Sequence, residues 1–138
     1  MRRAVLLLLF IVLALAGCGT QSTPTSVDNF KDPEQRAVAQ KVEDLEDAGK
    51  SGKPEDICSN ILSKDLVSQL DSAGTDCKTE MQKAIDDANE FDLEVRKVTV
   101  NGTTATAEVQ RGKGGPSETM AFARENGQWR ATSLSERR

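Results

Sequence analysis

Residues 93–109, LEVRKVTVNGTTATAEV, decide the fold. Leu93 and Val95 alternate with charged residues, and Val98 and Val100 alternate with Lys97 and Thr99. Successive side chains of a strand point to opposite faces, so this spacing predicts β structure. The parity slips between Val95 and Val98. A β-bulge near Arg96 and Lys97 restores it and keeps all four apolar side chains on one face. Asn101-Gly102 is a strong hairpin signal, and Ala105, Ala107 and Val109 alternate beyond it.

The same reading extends toward the C-terminus. Residues 112–116, GKGGP, form a longer loop. Met120 and Phe122 carry a third strand, Asn126-Gly127 makes a second hairpin, and Trp129 sits in a fourth strand. Arg137 and Arg138 fray.

Toward the N-terminus the period changes to that of helices. Asp32 can cap, Pro33 suits a first helical position, and Gln35 stands where a capping box places it. Val38, Val42, Leu45 and Ala48 form one apolar stripe, ended by Gly49 or Gly52. Lys53-Pro54-Glu55 opens a second, short helix, with Ile57, Cys58, Ile61 and Leu62 on its buried side. Ser63 can cap a third segment carrying Leu66, Val67 and Leu70. After a turn at residues 71–74, Thr75 or Asp76 can cap a further helix with Met81, Ala84, Ile85 and Ala88 on one face. Helices followed by an antiparallel meander predict an α+β fold. Its N-terminal helices pack on a curved antiparallel four-stranded sheet.

The N-terminus carries a different message. Arg2 and Arg3 precede an apolar run of about 13 residues, shorter than the roughly 20 a spanning helix needs. Leu15-Ala16-Gly17-Cys18 resembles the lipobox of bacterial lipoproteins. That resemblance implies cleavage before Cys18, lipid on the Cys18 sulfur, and a second modification at its amine. One acyl chain anchors marginally and two hold stably. The plainer alternative is an ordinary signal peptide with a chance cysteine at its cleavage site. The expected organisation is a signal peptide over residues 1–17, a tether over 18–31, and one domain over 32–138. The expected location is the extracytoplasmic side of the cell membrane.

With Arg2 and Arg3 removed, 16 basic side chains face 22 acidic ones, a net of −6. An acidic domain of this kind disfavours nucleic acid and gains nothing electrostatic from anionic lipid. The lipid on Cys18 must then do the anchoring. Histidine and tyrosine are absent, which removes the commonest general base and metal ligand. No cofactor or metal site is expected. With Cys18 taken by lipid, Cys58 and Cys77 remain as an even pair in an oxidising compartment, so a disulfide is expected. Two free buried thiols are the alternative.

The domain resembles the NTF2-like superfamily, the cone-shaped α+β fold shared by ketosteroid isomerase and SnoaL-type proteins. It is most similar to small secreted NTF2-like lipoproteins of actinobacteria. The resemblance rests on the opening helix through Val38, Val42 and Leu45, on residues 58–63 (CSNILS) with Cys77, on residues 98–107, and on residues 127–130 (GQWR). A cystatin-like helix-on-sheet domain is the main structural rival.

The resemblance implies a conical pocket and, in the enzymes of the family, an Asp or His inside it with a Tyr or acid donor. Here only carboxylates remain, and Asp92, Glu94 and Glu108 alternate with apolar neighbours so as to face away from the core. No catalytic residue is assigned. Met120, Phe122 and Trp129 are the candidate pocket lining, with plain core packing as the alternative. Glu43, Asp44, Glu46 and Asp47 read as a solvated helix face, lacking calcium-loop spacing. The expected function is therefore a non-catalytic membrane-anchored lipoprotein binding a small apolar ligand or an envelope protein. The alternatives are a lyase or isomerase with a buried carboxylate, and a structural module that dimerises through its threonine-rich sheet face.

Overall fold

A computed structural model describes residues 27–89 and 91–136; the residues read as signal peptide, the lipid-attachment residue Cys18, most of the expected tether, and Arg137 and Arg138 lie outside them. Four helices pack against a curved, unclosed antiparallel sheet, the expected α+β fold. Helix α1 spans Pro33–Lys50, α2 Pro54–Asp56, α3 Lys64–Ser72 and α4 Cys77–Asp87. Strands β1 (Leu93–Asn101), β2 (Thr104–Arg111), β3 (Ser117–Glu125) and β4 (Gln128–Glu136) pair in sequence order. Among the described residues, no helix is long and apolar enough to cross a membrane.

Caps place the helices. Asp32 accepts from the backbone N–H groups of Glu34 and Gln35, Ser63 from that of Leu66, and Asp76 from that of Thr79. Each satisfies donors that a helix start leaves unpaired. The capping box at α1 is only half made, however. Gln35 does not reach back to Asp32; its Nε2 donates to the Val98 carbonyl at 3.0 Å, linking α1 to β1. Within residues 18–31, Val27–Asn29 forms a 3-10 turn, and Val27 and Phe30 pack against the core.

The second helix differs from its expected form. The α-helical part covers Pro54–Asp56, and Ile57–Ile61 continues as a π-helical turn. The Leu62 N–H bonds the Ile57 carbonyl, five residues back. Ile57, Ile61 and Leu62 are all buried there, while Leu62 bridges to Ala131 on β4. Periodicity of apolar residues does not distinguish one such wide turn from a regular one. Cys58 in this turn is disulfide-bonded to Cys77 at the start of α4.

The bulge lies where the parity slip placed it. Val95 pairs with Val109 and Lys97 with Glu108, leaving Arg96 without an opposite residue. Leu93, Val95 and Val98 are consequently all buried on the helix-covered face. The two Asn-Gly pairs behave differently. Asn126 and Gly127 both take positive φ, 50° and 79°, as the centre of a type I′ hairpin requires. At the first hairpin Asn101 still pairs with Thr104, so Gly102 and Thr103 form the turn and only Gly102 has positive φ. Moving the turn by one residue shifts the register by two, which leaves every side chain on its own face. The alternation alone therefore could not choose between the two turns.

The core lies between α1 and the sheet. Val38, Ala39 and Val42 have no exposed surface, and they face Ala107, Val109 and Ala131 in the same cluster. The opposite face of the sheet carries Thr99, Thr104, Thr106 and Glu108, all exposed.

Candidate functional site

The candidate site is a cavity of about 70 Å³ between α4 and the sheet. Leu45 of α1 and Ile57 of the π turn form one wall. Met81, Ala84 and Ile85 of α4 form a second, and Leu93, Met120 and Leu134 of the sheet a third. Phe91 closes one side. Its position is fixed by a missing atom: a Cβ on Gly49 would lie 2.3 Å from the Phe91 ring. A glycine inside α1 costs about 1 kcal/mol relative to alanine, and here it makes room for the aromatic wall.

Arg111 is the one charged residue lining this cavity. It stands opposite Leu93 on β1 and is two residues beyond Val109, hence on the helix-covered face. Its Nε donates to Glu118 Oε2 at 2.7 Å. Glu118 pairs with Val109 across β2 and β3, so it shares that face, and its side chain is only 12% exposed. The parity that identified Val109 and Met120 leads directly to Arg111 and Glu118. Reading charged strand residues as outward-facing passed over both.

The three expected pocket residues separate. Met120 lines the cavity. Phe122 is buried in the core. Trp129 is 3% exposed in that same core and does not line the cavity. Its indole Nε1 donates to Glu34 Oε2 at 2.9 Å, Arg124 bonds the same oxygen, and the Arg124 guanidinium lies 5.2 Å from the indole centroid. This group ties the first turn of α1 to the β3–β4 hairpin.

Several of the remaining carboxylates have local partners. Asp92 pairs with Lys50 at 2.8 Å and Glu94 with Arg96 at 2.9 Å, while Glu108 is exposed. Glu46 accepts the Leu93 N–H at 3.1 Å and also bonds Lys50. The hydrogen bonds that Lys50 donates to Asp92 and Glu46 raise its pKa. Asp44 pairs with Lys41 at 2.9 Å. Glu43 accepts from the Val27 N–H at 3.4 Å; burial raises its carboxyl pKa, the Val27 bond opposes this, and Asp47, Glu46 and Asp44 add to the rise. Among the described residues, no cluster of three metal-ligating side chains occurs.

The arrangement offers an apolar chamber with a guanidinium at its rim. The sequence matches no known protein-family profile, and no curated protein matches it.

Proposed function

We propose that the chain is an extracytoplasmic lipoprotein, anchored through Cys18, whose NTF2-like domain binds a small apolar ligand without catalysing a reaction. The cavity beneath α4 carries this reading: a chamber walled by apolar side chains, with few polar groups, has the chemistry of a small-molecule site. The order of helices and strands supports the NTF2-like assignment. The carboxylate on the helix-covered face supports a non-catalytic role, because Glu118 is already held by Arg111 rather than left free as a base. The lipobox at residues 15–18 supports the anchor.

The test is native mass spectrometry of the full chain expressed in a bacterium and extracted from its membranes in mild detergent. The expected species has lost residues 1–17, carries lipid on Cys18, and releases a small apolar molecule on denaturation. An unmodified Cys18 overturns the anchor, and a protein that stays empty in every preparation overturns the ligand reading. Turnover abolished by Glu118→Gln would put a lyase or isomerase in its place.

A further inference from the structure

We infer that the ligand of this cavity is a small carboxylic acid, its apolar body against Met81 and Met120 and its carboxylate on Arg111. The inference rests on the apolar-ligand reading and names the ligand's head group. A guanidinium has five N–H donors in a planar fork. Among the described residues, the Arg111 side chain uses only its Nε, toward Glu118. The two terminal nitrogens, the pair that grips a carboxylate in bidentate fashion, carry no protein partner there. Glu118 thus orients the fork from behind without occupying its end.

Charge and size narrow the head and the body. Glu118 already offsets the Arg111 charge, so a singly charged carboxylate suits this rim better than a doubly charged phosphate. The side chain of Arg111 is 43% exposed, so the head stays at the water boundary and needs no costly desolvation. A cavity of about 150 Å³ encloses a benzene ring. This chamber, at about 70 Å³, encloses a short alkyl segment. Of α4, only Cys77 is buried, so Met81 and Ile85 form a wall with room to adjust.

The chain has three methionines, two of them in the cavity wall, so methyl-labelled methionine reports occupancy directly. The experiment titrates the full-length protein, held in lipid nanodiscs, with hexanoate and with hexan-1-ol, which share an apolar body and differ in the head. Both should move the Met81 and Met120 methyl signals, with hexanoate bound about tenfold more tightly, the gain expected of one charge-assisted pair. Arg111→Gln should remove that preference, so that hexanoate binds no more tightly than hexan-1-ol. In the unaltered protein, raising the salt to about 1 M should weaken hexanoate alone, a readout that no misfolded variant can confuse. Equal binding of the two probes, insensitive to salt and to Arg111, overturns the carboxylate inference while sparing the apolar-ligand reading. No methyl shift with either probe overturns both.

Discussion

Glu34 holds more of the structure than its place on an exposed first helical turn suggests. One carboxylate oxygen serves both the Trp129 indole and the Arg124 guanidinium. Removing it leaves a buried N–H without a partner, which costs about 1–3 kcal/mol. Glu34→Ala should therefore lower the unfolding free energy by about 2 kcal/mol in a urea titration followed by Trp129 fluorescence. Glu34→Gln, which keeps an acceptor, should lose about half as much. A loss below about 0.5 kcal/mol for Glu34→Ala would show the contact to be unimportant. This pairing was not legible in the sequence, because a helix-start acid ordinarily serves the helix dipole and nothing marks it as a tryptophan acceptor. The β-bulge at Arg96 was legible, since burial enforces parity. So was the inward facing of Arg111 and Glu118, for the same reason: position along an alternating strand sets the face before polarity does.

At the scale of elements, α4 depends on its disulfide. It has 11 residues, too few for a stable isolated helix in water, and Cys77 is its single buried residue. The Cys58–Cys77 bond pins its first residue to the π turn. A loop of this length stabilises by about 3 kcal/mol in the chain-entropy account. Reduction, or Cys58→Ala with Cys77→Ala, should lower stability by about that amount. Amide exchange should then accelerate first in α4, with α1 and the sheet protected longer. Uniform acceleration throughout would mean that α4 is not a separate unit. Helix starts at Asp32, Ser63 and Asp76 were legible because capping side chains have a local signature. The π turn and the exact hairpin at Gly102-Thr103 were not, since both leave the apolar pattern unchanged.

For the whole molecule, the acidic balance has a measurable cost. Glu43 lies among Asp44, Glu46 and Asp47 on α1, and its carboxyl pKa is raised above the usual 4.5, chiefly by burial. A carboxyl with a raised folded-state pKa binds its proton more tightly folded than unfolded. Its favourable contribution is complete below the unfolded value and is lost as pH rises through the folded one. Glu43→Gln should therefore stabilise the protein at pH 7, by at most about 0.5 kcal/mol given solvent screening, and leave it unchanged near pH 3. A gain at both pH values would point to packing instead of charge. The α+β layout was legible because two periods divide the chain cleanly at residue 93. The cavity was not, since filled cores and open chambers are built from the same apolar residues.

The order of elements also governs timing. Every helix precedes every strand, and the Glu34–Trp129 bond joins residues 95 positions apart. As the chain is made from its N-terminus, the α1 stripe of Val38, Val42 and Leu45 emerges long before the sheet that buries it. Ala131, to which Leu62 bridges, arrives almost last. Contacts this distant cannot form until the intervening chain is complete. The domain thus cannot close its core part-way through synthesis: the greasy face of α1 waits, uncovered, for the final hairpin.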